Sequence, residues 1–418
     1  MQITYEDEYI KELFIDLGDV ANSRNLMQRK IGKDKTVVAK KRKNQLESAP
    51  NNIMETKMSG LSREMIIHPG ETLKEVLEDR NMSQQELALR TGVSPKHIST
   101  VLNGEKNISV SFAKKLEYAL NIDAEFWINL QNAYDKEILE FDELNSISKE
   151  EISVLKQLKS VFEYLIEKTM IPICSAAEQK VLELRKFLNV SNLTSIPTLV
   201  STGAFRTQTS VGVDEYTLFA WQKICEVLCS RVDVQETDYQ EQKKRLLLLI
   251  PSIKKLMFES QEVFVPRLTA LLSDNGIAFC IAPSFKGAPV QGFIKHISES
   301  KTILAMTFRQ KKADIFWFTF FHEIGHLLNG DGKKKFIDFE SVENVQEKKA
   351  DEFVENELLN KQEYANFLRK SDFSLQSIKE FAKEQNVLPC IVIGRLQKEK
   401  YLKWSDYTEE MIMYSTSQ

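Results

Sequence analysis

Two histidines and a glutamate carry the spacing best suited to chemistry in this chain. They lie in Phe316-Trp317-Phe318-Thr319-Phe320-Phe321-His322-Glu323-Ile324-Gly325-His326-Leu327-Leu328, an H-E-x-x-H pattern with apolar flanks. On a helix, His322 and His326 leave the same face, one turn apart, and can grip a single metal ion. Glu323 stands beside the first of them, where a carboxylate can take a proton from a water at the metal. The flanks predict a buried helix, and a buried helix rarely carries two histidines and a glutamate without a use for them. Zinc is the metal this donor set predicts, with three protein ligands and one open position.

No histidine follows His326, so a third ligand downstream must be a carboxylate or Cys390. A polar turn, Asn329-Gly330-Asp331-Gly332, closes the helix, and Glu347-Lys348-Lys349-Ala350-Asp351-Glu352-Phe353 follows. F-T-F-F-H-E-I-G-H-L-L together with E-x-x-A-D-x-F resembles the ImmA/IrrE family of zinc metallopeptidases. The resemblance implies Zn²⁺ held by His322, His326 and Glu347, with Glu323 as the catalytic base. It also implies that Asp351, on the same helix face as Glu347, orients a ligand histidine. Glu352 is the alternative ligand, and His296 or Tyr401 is a candidate to stabilise an oxyanion. The substrate class implied is a helix-turn-helix repressor, cut in cis or in trans to relieve repression.

A second chemistry is written upstream. His68-Pro69-Gly70-Glu71 opens a helix, and Ser83-Gln84-Gln85-Glu86 opens another with a capping box, Ser83 reaching forward and Glu86 reaching back. Gly92 ends that helix in a tight turn, and Ser94-Pro95 caps a third, running to Asn103-Gly104. Two short helices joined by a glycine turn form a helix-turn-helix, whose second helix enters the major groove. Leu87, Ala88, Val93, Ile98, Val101 and Leu102 are the expected core face. Gln84, Lys96, His97, Ser99, Thr100 and Asn103 are the expected outward face, suited to base edges and phosphates. Residues 68–136, with H-P-G-E, S-x-x-E-L-A and F-W-I-N-L-Q-N-A-Y-D, resemble HigA-type antitoxins of the Cro/C1 class. That resemblance implies a five-helix DNA-binding domain, a homodimer on a double-stranded operator, and a cognate toxin as partner.

The remainder sets the frame. At 418 residues the chain is long enough for several domains, and 42% hydrophobic with 28% charged residues is ordinary for a globular protein. A net charge of −4 requires any DNA contact to rest on a local patch. Only 15 Gly and 10 Pro predict long helices and few turns. Five cysteines without finger spacing fit a reducing cytoplasm, with Cys225 and Cys229 expected in the core. The polar N-terminus is unlike a signal peptide, and no apolar run is long enough to span a membrane, so no membrane partner is expected.

Residues 28–43 are basic, suited to a solvated helix or a nucleic-acid patch. Together with Y-x-D-E-Y-I-K-E-L-F near the start, they are similar to the opening helices of HigB-type toxins of the RelE superfamily. The likeness stops after Pro50, before the toxins' sheet, so no ribonuclease activity is carried over. Short strands are expected around 276–281, 290–294 and 302–308, just ahead of the H-E-x-x-H helix. Trp221 and Phe219 are expected in the core. The fold class read from the sequence is mainly α with a small β-sheet (α+β). Its parts are a toxin-like remnant at 1–50, a linker at 51–64, the helix-turn-helix domain at 65–137, a helical connector at 138–255 and a zincin-like domain at 256–418. In the last, the sheet packs on the H-E-x-x-H helix.

Overall fold

The structure is a computed structural model describing residues 63–202, 213–298, 301–330 and 342–415. The toxin-like segment and most of the linker lie outside the described residues. Among the described residues five α-helices come first: α1 (Pro69–Asp79), α2 (Gln84–Thr91), α3 (Pro95–Leu102), α4 (Val110–Leu120) and α5 (Ala124–Ser146). Local chemistry sets their starts. Ser83, Ser94 and Ser109 each accept a hydrogen bond from the backbone N–H three residues on, which satisfies donors that a helix N-terminus leaves orphaned. His68 caps α1 through Nδ1, 2.9 Å from the Gly70 N–H. Gly70 is required by packing, since a Cβ there would lie 2.0 Å from the Val101 carbonyl oxygen on α3. Gly92 ends α2 at φ 65°, in the left-handed region that favours glycine.

The capping box is only half formed. Ser83 caps as expected, but the Glu86 carboxylate turns forward to Arg90, at 2.6 Å, so its i+4 partner on the exposed surface outcompetes the backbone. Helix α5 runs unbroken through position 137, so a boundary there falls inside a helix.

The middle of the chain is α6 (Lys149–Gln157), α7 (Lys159–Glu167), α8 (Ala177–Leu188), α9 (Ile196–Thr202) and α10 (Glu215–Ser230). Its core of Leu158, Val161, Leu165, Val181, Leu184 and Ile224 surrounds a buried carboxylate, Glu151. Glu151 accepts from Arg185 Nε at 3.0 Å and from the Leu193 N–H at 2.9 Å. Burial pushes its carboxyl upward, but the Arg185 and Leu193 bonds outweigh it and hold the pKa below the ordinary value. Trp221 is buried and donates from Nε1 to the Pro283 carbonyl at 2.7 Å; Cys225 is buried in the same cluster, and Cys229 is buried against Ala278 and Ile303.

Helices α11 (Tyr239–Leu256) and α12 (Gln261–Ser273) lead into strands β1 (Ile277–Ile281), β2 (Gly292–His296) and β3 (Thr302–Met306). The sheet order is β1-β3-β2, with β1 parallel and β2 antiparallel to β3. The all-buried β3 is thus central, and β2 is an edge. Then follow α13 (Ala313–Asn329), α14 (Val342–Leu358), α15 (Lys361–Lys370), α16 (Leu375–Glu384) and α17 (Pro389–Lys398). One hydrophobic cluster joins Leu246, Ile250 and Ile253 of α11 to β1, β3, α13, α14 and α17, so the C-terminal core begins before 256. Phe316, Trp317, Phe320 and Phe321 of α13 are its centre. Each such side chain contributes roughly 1.5–3 kcal/mol by leaving water.

Candidate nucleic-acid interface and candidate metal centre

The glycine turn at 92 presents the outer face of α3 beside the start of α2. Ile98, Val101 and Leu102 anchor α3 inward, leaving Lys96 and Asn103 exposed and Ser99 and Thr100 half-buried. Gln84 is exposed at the first position of α2. Thr100 donates its hydroxyl to the His97 carbonyl at 2.9 Å, which still leaves that oxygen able to accept. His97 departs from the outward expectation. Its ring packs edge-on against Phe112 of α4, centroids 4.9 Å apart, and Nε2 is buried without a hydrogen-bond partner among the described residues. Burial lowers its pKa, and Lys106 and Lys115 push the same way. The reason is tertiary: α4 offers an apolar aromatic edge where the helix alone shows only solvent.

The second site is built on α13. His322 and His326 Nε2 atoms lie 3.0 Å apart, within hydrogen-bond distance, with the rings nearly perpendicular. Two ligands on a tetrahedral zinc at ~2.0–2.1 Å stand roughly 3.3–3.4 Å apart, so the pair is close to ligating geometry. His322 Nδ1 faces Asp351 Oδ1 at 3.0 Å, an arrangement that fixes the orientation of the ring, with Nε2 turned toward His326. Small residues create this contact. A Cβ on Gly325 would sit 3.1 Å from the Ala350 Cα, so α13 and α14 touch backbone to backbone and Asp351 comes within reach. Glu323 is half-buried against β2, where a Cβ on Gly292 would lie 2.7 Å from the Glu323 carboxylate oxygen. The glycine leaves that space to the carboxylate.

The side chain of Glu347 lies outside the described residues, although its backbone belongs to α14. Among the described residues no group of three His, Cys, Asp or Glu side chains converges as a metal site. Glu352 is exposed. Cys390 is fully buried in the core, where burial pushes its thiol up to about 12. His296 ends β2 with Nδ1 2.8 Å from the Thr302 hydroxyl and its ring against Tyr239. Tyr401 is half-exposed and packs on Phe373. Sequence reasoning missed Tyr239, whose hydroxyl donates to the Leu327 carbonyl at 2.9 Å and tethers α11 to the end of α13; nothing local signals that contact.

An N-terminal five-helix module with a serine-capped, glycine-turned helix pair defines a helix-turn-helix protein. Residues 73–127 match the family described as Helix-turn-helix. The chain is 36% identical over 77 residues to virulence-associated protein I of Dichelobacter nodosus, spanning 71% of that protein and 18% of this chain. Through this module the chain belongs to the helix-turn-helix family. It is also 32% identical over 66 residues to the uncharacterized HTH-type transcriptional regulator YddM of Escherichia coli, spanning 70% of that protein and 16% of this chain. A solved structure of the Pseudomonas aeruginosa antitoxin HigA with the higBA promoter is 28% identical and aligns over 20% of this chain and 96% of that one, at a TM-score of 0.19. Among the described residues no helix is long and apolar enough to cross a membrane.

Proposed function

We propose that the chain is a DNA-binding transcriptional regulator of antitoxin type that carries a zinc-dependent endopeptidase domain. The observation that supports DNA binding best is α3 itself: three buried apolar residues fix it, and Lys96, Ser99, Thr100 and Asn103 are left available for a groove. Asn reads adenine, Ser and Thr adapt to either base edge, and Lys96 meets phosphate. Gln84 completes the surface at the start of α2. A dimer of this module binds half-sites about one helical turn apart. Selection of bound duplexes from a random library by the full-length protein, followed by footprinting, tests the reading. The expected product is a palindromic site with steep salt dependence. Failure to enrich any sequence overturns it.

The endopeptidase reading is favoured by the convergent histidine pair and the carboxylate behind it. His322, His326 and Glu347 would hold Zn²⁺, which when bound supplies a Lewis acid for a scissile carbonyl. Asp351 holds the His322 ring in the orientation that turns Nε2 toward His326. Glu323, set in the space left by Gly292, accepts the proton of the attacking water and later returns it to the leaving amine. The proposed substrate is a helix-turn-helix repressor, in cis or in a partner chain. Mass spectrometry of zinc-loaded protein, alone and with candidate repressors, should reveal discrete fragments. Zinc binding without fragments favours a non-enzymatic repressor whose C-terminal domain senses zinc or binds a partner.

A further inference from the structure

A cavity of about 380 Å³ opens between α13, α14 and α17. Its walls are mainly apolar, with Ile315, Phe318, Leu358, Ile391 and Trp404 among them. The volume is in the range of small-molecule sites, which combine apolar walls with few placed polar groups. The polar groups here differ in what they have left to give. Gln291 already accepts from the Thr319 hydroxyl at 3.0 Å, and Arg395 is paired with Glu355 at 3.0 Å. Lys398 is exposed at the rim with its Nζ over the Phe318 ring, and Lys312 lies over Trp404 in the same way.

Asp314 is the exception. It lines the cavity, and its Oδ1 is buried without a hydrogen-bond partner among the described residues. The chain makes room for this carboxyl, because a Cβ on Gly394 of α17 would clash with its Oδ2. Burial raises its pKa above the ordinary carboxylate value. The Ile315 and Asp314 backbone N–H groups and the Lys312 charge pull the other way, but Oδ1 keeps no hydrogen bond, and a buried acceptor in that state costs free energy unless something donates to it.

We propose that this cavity binds a small organic amine, its apolar body between Phe318, Ile391 and Trp404 and its ammonium donating to Asp314. An amine fits better than a carboxylate because the group with unspent capacity inside is an acceptor, whereas the cations stand at the rim. The site uses Ile315, Phe318 and Thr319 of α13, the helix that carries His322, and rests on neither reading of function given above.

Titration calorimetry of the full-length protein with phenethylamine, and with phenylpropionate as its acidic counterpart, tests the proposal. Phenethylamine should bind, and phenylpropionate should bind at least about tenfold more weakly, as expected for one charge-assisted hydrogen bond. Asp314→Asn keeps the shape of the carboxyl and should weaken amine binding by about tenfold or more. Ile315→Trp, with folding checked by circular dichroism, should fill the cavity and remove binding of both. Equal binding of the two probes, an unchanged affinity in Asp314→Asn, or no amine binding by the folded wild-type protein would each overturn the proposal.

Discussion

The helix-turn-helix module and the C-terminal domain assemble their sites by opposite routes. In the first, the helices that form the surface are set by residues within a few positions: Ser83 and Ser94 cap, Gly92 turns, and Ile98 and Val101 anchor. In the second, α13 has no side-chain cap at its start, and its site is completed from elsewhere. Gly292 on β2 makes room for Glu323, and Ala350 on α14 lets Asp351 reach His322. A site made of local signals tolerates distant change, whereas one made of tertiary fits depends on every element that meets there. The expected consequence is that single changes in α13 and α14 have large and separable effects, and those in α2 and α3 small and cumulative ones.

The largest effect expected is at Glu323. Glu323→Gln is isosteric, so zinc content, fold and DNA binding should stay as in the wild type. Fragment formation should slow by ~10²–10⁴-fold, the usual cost of losing a general base. Kinetics of repressor cleavage, beside metal analysis, measure this. Unchanged cleavage in Glu323→Gln sinks the endopeptidase reading and leaves the zinc-sensing repressor.

Next is the carboxylate behind the histidine. Asp351→Asn replaces an acceptor that pins His322 Nδ1 at 3.0 Å. Zinc affinity should fall by about 10–100-fold, with DNA binding unaltered. Competition with a chromogenic chelator reads the change. An affinity equal to the wild type would mean that the ring is oriented by packing alone.

How much of this was legible follows the same divide. The first three helices of this module, the Ser83 and Ser94 caps and the inward face of α3 could be read from side-chain spacing, because capping and helical periodicity act over one or two turns, whereas α4 and α5 were expected only from the resemblance. The three strands and their place before α13 were legible as well, although their order β1-β3-β2 was not. His97 misled because Phe112 lies on another helix, and Glu86 because Arg90 competes for its carboxylate. The fits of Gly292 on Glu323 and Gly394 on Asp314 had no trace in the sequence. Each is a contact between elements far apart in the chain, where a glycine looks like any other. The cavity beside Asp314 was missed for that reason.

On the DNA side, changing Thr100 and Asn103 together to alanine removes two groups from the outer face of α3 and leaves Ile98, Val101 and Leu102 in place. Specific affinity should drop by ~1–3 kcal/mol, with non-specific binding retained. A footprint identical to that of the wild type would place another surface in the groove.

The smallest effect expected is a pH dependence confined to this module. His68 and His97 both titrate below the ordinary value of 6.5, in each case chiefly because of burial. Around His68, Asp135 and Glu71 oppose the shift, whereas Lys106 and Lys115 reinforce it at His97. In the folded chain the two rings therefore stay neutral at a pH where the unfolded chain has begun to bind protons. More protons bound by the unfolded state means that stability rises with pH. Their contribution is complete above about pH 7.5, declines as pH falls through 6.5, and levels off below the depressed folded values. Thermal unfolding of the full-length protein from about pH 7.5 to about pH 5.5 should show a shallow fall in the midpoint of the module's transition. The window lies above the carboxylate range, so Asp and Glu contribute little to it. The double change His68→Asn, His97→Gln should lower the midpoint and flatten its pH dependence, because asparagine keeps an acceptor near the Gly70 N–H and neither new side chain titrates. A slope that survives the double change assigns the effect to other groups.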